Sequence, residues 1–249
     1  MSRTLAPGIQ LQVVSAAEFA AAAADLVQAV VQRKPDAVVG FPTGDTPLPM
    51  YHELLRRQQL GAINLSSLRA VMLDDYLGAT GDDPVSFHNW LKRTFFDPAS
   101  IDGWRLWRVP TDPEGIEAAC RTYEQGLAER GGVDLQLLGL GLNGHIGFNE
   151  PGTSPDSRTH VVHLTPSTTT ANAAYWDEAE NVPEYGVTMG IGTILEARSI
   201  GLLVNGRRKA EILRATLLGP ISPEVPASFL RRAQHVQVVA DEDAAALLA

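Results

Sequence analysis

VDLQLLGLGLNGHIGFNEPGTSP, residues 133–155, decides how the rest of the chain is read. It opens as a largely apolar run, broken only by Asp134 and Gln136, the pattern of a strand buried on both faces. It then passes into a glycine-rich loop carrying Asn143, His145 and Glu150. Gly139 to Gly144 spell G-x-G-x-x-G, the fingerprint of a dinucleotide loop. Such a loop should open directly into a helix facing the pyrophosphate, with an acidic residue about 20 positions later. Here Gly147, Pro151, Gly152 and Pro155 discourage a helix, and around position 160 the chain reads THVVHLTP rather than a strand ending in an acid. The stretch therefore predicts a strand followed by a tight loop whose glycines let backbone approach a ligand.

Outward from it, strand-like runs alternate with helical ones. The runs read as strands are 9–14, 36–41, 68–73, 104–109, 133–140, 160–164, 199–204 and 235–240. Helical patterns cover 16–33, 47–59, 86–96, 113–130, 166–176 and 207–218. This alternation predicts an α/β fold, a mostly parallel sheet with helices on both faces. WRLWRV (104–109) alternates polar with apolar and reads as an edge strand or part of a small excursion. With no long Pro-, Gly- or Ser-rich linker and no repeat, one domain over residues 1–249 is expected.

A formal net charge of -9 argues against a nucleic-acid partner. No apolar run reaches the roughly 18 residues of a membrane span, so no membrane partner is expected. MSRTLAPGIQLQVV lacks the apolar centre of a signal peptide. Cys120 is the only cysteine, which excludes an internal disulfide and fits a reducing compartment. These features predict a cytoplasmic protein.

In open α/β sheets, ligands bind beyond the carboxyl ends of the strands. Three loops in such positions carry unusual chemistry. In the glycine loop, His145 and Glu150 can converge, the carboxylate selecting the tautomer of an imidazole that acts as a general base. Alternatively, His145 bonds a backbone carbonyl and Glu150 caps a turn. In VMLDDYLG (71–78), Asp74 and Asp75 end an apolar strand, and alternation lets at most one look into a cleft. A partly desolvated carboxylate there can take a proton from a carbon next to a carbonyl or imine; a turn-forming Asp pair is the other reading. In FPTGDTP (41–47), Thr43 and Thr46 with free backbone N–H groups make a phosphate cradle, or Thr46 or Asp45 simply caps the helix near Pro47. Arg207, Arg208 and Lys209 open the last helical run; cations there oppose the helix dipole unless an anion is near. His160 and His163 would fall on opposite faces of a strand, and no metal-ligand spacing occurs, so neither metal nor cofactor is expected.

FPTGDTPLPMYHELL, VMLDDYLG, SFHNWL, LGLGLNGHIGFNEPGTSP, VPEYGVTMGIGTIL and LLVNGRRKAEIL together resemble the glucosamine-6-phosphate deaminase family, in order and over almost the whole chain. The resemblance implies a Rossmann-like fold and the conversion of glucosamine 6-phosphate and water into fructose 6-phosphate and ammonia. It implies His145 as ring-opening acid/base, oriented by Glu150 and Asn143, and Asp74 as the base carrying the C2 proton to C1. Thr43, Gly44 and Thr46 would line the phosphate cradle, with Lys209 as its cation. The chain departs from the pattern at Asn143, where many members have Asp, at Asp45, where a small residue is usual, and at Ala174, where an arginine usually reaches the phosphate. Arg207 or Arg208 can compensate for the last two. His160 and Val162 stand where allosteric members carry basic residues, so no such activation and a monomer or small oligomer are expected. Competing readings are a deaminase of a stereoisomer such as galactosamine 6-phosphate, a 6-phosphogluconolactonase, which needs no base at C2, and a non-catalytic sugar-phosphate sensor.

Overall fold

A computed structural model describes residues 2–80, 83–84, 86–173 and 182–248. Eight strands form one sheet: β1 (Ser2–Ala6), β2 (Ile9–Val14), β3 (Val38–Phe41), β4 (Arg69–Met72), β6 (Leu106–Trp107), β7 (Leu135–Gly139), β10 (Ile200–Val204) and β11 (Val236–Asp241). Their spatial order is β1-β2-β11-β10-β7-β3-β4-β6. Only the β1–β2 hairpin at one edge is antiparallel. The Leu106–Trp107 strand forms the other edge, where alternating polarity in the sequence had pointed.

Strand alternation splits the core between the two faces. Val39, Leu137 and Val239 face one side, where α1 (Phe19–Arg33), α2 (Leu48–Gln59) and α3 (Phe87–Leu91) pack. Val38, Leu138 and Val238 face the other, against α4 (Ile116–Glu129), α6 (Ile191–Leu195) and α7 (Ala210–Leu218). The fold is thus a Rossmann-like α/β sandwich with a mostly parallel sheet. No helix of the described residues is long and apolar enough to cross a membrane.

The structure departs from the sequence reading in several places, and adds β1 and α6, which that reading did not include. A second, three-stranded antiparallel sheet has the order β5-β9-β8, from β5 (Asp74–Tyr76), β9 (Tyr185–Thr188) and β8 (His160–His163). His160–His163 therefore leaves the main sheet, and DDY is a strand rather than a turn. These segments of three or four residues are too short to show a period in sequence. The expected helix over 86–96 is α3 followed by a wider-wound turn, Lys92–Phe96. That over 166–176 begins as α5 (Pro166–Asn172), and its end lies outside the described residues.

After β3 the chain adds β4 and β6 on one side; β7, β10 and β11 lie on the other. The direction of winding thus reverses between β3 and β7, where doubly wound sheets open a crevice at their carboxyl ends. The loops after β3 and β7 flank that crevice, and those after β4 and β10 are next to them.

Candidate active site

A cavity of about 970 Å³ occupies the crevice. Its walls include Thr43, Gly44, Asp45 and Thr46 after β3, Asp74 after β4, Asn143 and His145 after β7, and Arg207, Arg208 and Lys209 after β10. One predicted residue, Glu150, lies just behind this wall, buried and bonded to the groups that face it.

Asp74 is placed by the junction of the two sheets. Leu73 separates β4 from β5, and Asp74 pairs with Thr188 of β9. Thr188 Oγ1 also accepts the Phe148 amide at 3.1 Å, which ties the glycine loop to the same strand. Alternation sends the two aspartates apart. Asp75 accepts three amides, from Tyr76 (2.9 Å), Phe87 (2.8 Å) and His88 (3.0 Å), and so anchors the start of α3. Asp74 reaches the cavity. Burial, reinforced by the Asp75 charge, pushes its carboxyl up to about 8.

The glycine loop folds back on itself. The Gly141 amide bonds the His145 carbonyl at 2.9 Å, and Gly144 and Gly147 take φ of 87° and 57°, a region costly for other residues. The imidazole lies flat against Gly141; a Cβ there would stand 2.4 Å from Nε2. Asn143 clasps both partners. Its carbonyl accepts the His145 amide at 3.1 Å and its amide donates to Glu150 Oε2 at 2.7 Å. Asn143 therefore holds the loop and the carboxylate but makes no bond to the ring. Burial alone would raise the Glu150 carboxyl, but His145, Thr168 and Asn143 outweigh it and hold the group at about 2. His145 Nδ1 is 3.8 Å from Glu150 Oε2.

The basic run is joined to the threonine loop across the crevice, because Thr46 Oγ1 donates to Asn205 Oδ1 at 2.7 Å. The Thr46 hydroxyl proton is thus engaged in loop–loop contact while the residue still lines the cavity, and neither Thr46 nor Asp45 caps α2. Arg207–Lys209 is a short 3-10 turn leading into α7. The Lys209 ammonium donates to the Leu140 carbonyl. Burial, with the neighbouring Arg208 charge, lowers it to about 8. Arg207 and Arg208 are exposed at the cavity rim, as is Asp45 on the facing loop.

Sequence reasoning missed three cavity groups. Arg93 follows α3, Thr168 and Asn172 sit on α5, and Asn172 Nδ2 donates to Tyr76 Oη at 2.9 Å. Of these, only Thr168 has a trace in the sequence, as one of the hydroxyls of TPSTTT (165–170). Ala174 lies outside the described residues. Among the described residues no group of three or more His, Cys, Asp or Glu is placed to hold a metal.

Residues 12–240 match the family described as glucosamine-6-phosphate isomerases/6-phosphogluconolactonase. The chain is 43% identical over 241 residues to a glucosamine-6-phosphate deaminase of Rhodopirellula baltica, covering 96% of each chain. It is also 43% identical to glucosamine-6-phosphate deaminase 1 of Bacillus subtilis, over 92% of this chain and 95% of that one. The solved structure of a monomeric glucosamine-6-phosphate deaminase superposes with a TM-score of 0.92 at 42% identity, covering 95% of this chain and 99% of that one. A 6-phosphogluconolactonase from Trypanosoma brucei shares the fold, with a TM-score of 0.78 at 20% identity over 99% of this chain and 100% of that one.

Proposed function

The chain belongs to the family of glucosamine-6-phosphate isomerases and 6-phosphogluconolactonases, and from that premise we propose that it is an enzyme that isomerises and deaminates glucosamine 6-phosphate to fructose 6-phosphate and ammonia. The observation that carries this reading is the meeting of Asp74, His145 and Lys209 on the wall of one cavity at the carboxyl ends of the strands. A lactonase has no use for a raised carboxyl beside C2, whereas an aldose–ketose isomerase requires a strong base there.

In this reading His145 moves the proton from the anomeric hydroxyl to the ring oxygen, which opens the sugar. Asp74, ionised, takes the C2 proton and returns it to C1 through an enolamine. Water then hydrolyses the resulting C2 imine and releases ammonia. The substrate's own ammonium group favours the charged form of Asp74 once bound. The phosphate lies in the cradle of Thr43, Gly44 and Thr46, with Lys209 as its cation. Arg207 or Arg208, both at the rim of the same cavity, offsets the charge of Asp45. Residues 1–249 act as one sugar-phosphate domain, as a monomer or small oligomer, in the cytoplasm. The monomeric deaminase at 42% identity supports the first state, and the single, buried free cysteine accords with the compartment.

The test is ammonia release by purified protein from glucosamine 6-phosphate, run beside galactosamine 6-phosphate under identical conditions. Release from the glucosamine sugar supports the reading; none from it refutes the substrate, and release from the galactosamine sugar alone moves it to the stereoisomer.

One pH prediction arises here. Asp74 must lose a proton to act as base, and Lys209 must keep one to hold phosphate, and both change state at about 8. Rising pH therefore increases kcat/KM as Asp74 ionises and then decreases it as Lys209 is neutralised, a bell with its top near 8. Lys209→Met is expected to remove the alkaline limb and raise KM about tenfold, measured in the coupled ammonia assay.

A further inference from the structure

His145 and Glu150 are too far apart to hydrogen-bond, at 3.8 Å between Nδ1 and Oε2. The Thr168 hydroxyl lies between the two residues. It is 2.5 Å from Glu150 Oε1 and 3.3 Å from His145 Nδ1, on a residue only 2% exposed. A threonine hydroxyl has one proton to give and two lone pairs. Two oxygens 2.5 Å apart in a buried site need a hydrogen between them, and an ionised Glu150 has none to offer. The Thr168 proton therefore lies on the carboxylate side. Only a lone pair is left toward the ring, so Nδ1 must carry the ring proton and Nε2 must be bare. The surroundings complete the pattern. Thr165 Oγ1 stands 3.2 Å from Thr168 Oγ1 and serves its second lone pair, while the Thr165 amide donates to Glu150 Oε1 at 3.3 Å. Asn143 fixes the other carboxylate oxygen.

We propose that Thr168 is a positioning residue: its hydroxyl relays the Glu150 charge to His145 and fixes the Nδ1–H tautomer, which leaves Nε2 as the proton acceptor in ring opening. The relay also places the orienting group on α5 rather than in the glycine loop, so docking of that helix sets the state of the imidazole. The catalytic consequence rests on the deaminase reading, whereas the tautomer itself can be measured without substrate.

The experiment has two arms. Long-range proton–nitrogen NMR of ligand-free protein with labelled histidine reads the two ring nitrogens of His145, assigned by comparison with His145→Gln. The relay predicts a protonated Nδ1 and an unprotonated Nε2 in the parent protein. It predicts movement toward the mixed tautomer of free imidazole in Thr168→Val, which keeps the shape and loses the hydroxyl, and retention of the parent pattern in Thr168→Ser. The kinetic arm expects kcat about a hundredfold lower in Thr168→Val at unchanged KM, and within a few-fold of the parent in Thr168→Ser. A parent ring protonated at Nε2 overturns the relay without need of any variant. So does Thr168→Val with parent-like nitrogen shifts or parent-like kcat. Correct tautomers in a protein that deaminates no hexosamine phosphate would retain the relay and refute the deaminase reading.

Discussion

In Asp74→Asn, turnover of glucosamine 6-phosphate is expected to fall about 10⁴-fold while the protein becomes more stable at pH 8. Both effects follow from one buried carboxyl. Asparagine fills the same space beside Thr188 but cannot accept the C2 proton, so the carbon acid step loses its base at almost unchanged substrate affinity. The stability effect has a definite sign. The folded carboxyl is raised from an ordinary value near 3.8 to about 8. Unfolded chains therefore release this proton at lower pH than folded ones, and stability tied to the group is fully present below about pH 4 and lost as pH rises through about 8. Asn has no proton to lose. Relative to the parent, its advantage is a few kcal/mol at pH 8, about 5–10 °C in melting temperature, and vanishes near pH 4. Parallel thermal melts at the two pH values check the second effect, and the ammonia assay checks the first. A variant that keeps more than a tenth of parental kcat would remove Asp74 from the mechanism.

His145→Ala is expected to lower kcat about 10³-fold, with a distinctive residue of activity. Open-chain sugar forms slowly in water without help, and Asp74 remains in place to act on it. Velocity should therefore stop rising with enzyme concentration once spontaneous opening limits the supply. Added imidazole, admitted to the space the side chain leaves, should restore part of the rate. Progress curves over a range of enzyme concentrations distinguish this from a misfolded protein, whose velocity would stay proportional to enzyme. Proportional velocity in a folded variant would place ring opening elsewhere.

Much of this site was legible before any coordinates, and the reasons are physical. β7 and its glycine loop were readable because a fully buried strand has an apolar run and a tight loop has glycines. The segregation of Asp74 from Asp75 followed from strand alternation alone. What remained hidden depended on long-range partners. Nothing local singles Thr168 out from the other hydroxyls of TPSTTT, since a hydroxyl on a short helix gains its meaning from a carboxylate on another segment. The three-stranded sheet was hidden because DDY and YGVT are too short to show a period, and its pairing joins residues more than a hundred positions apart. The contribution of Asn143 was half visible: an amide beside the histidine was readable, but that it grips Glu150 rather than the ring needed geometry.

The pairing of β2 with β11 has a consequence for biosynthesis. Ile9–Val14 lies between β1 and Val236–Asp241, so it takes its inner neighbour from a strand made more than 200 residues later. Until Val236–Asp241 has left the ribosome, Leu11 and Val13 have no partner strand on that side, and the growing chain carries an open sheet edge. Joining β2 to the rest of the sheet thus waits on a strand distant in sequence, with a long loop to close, so the nascent chain is exposed to edge-to-edge aggregation until β11 emerges.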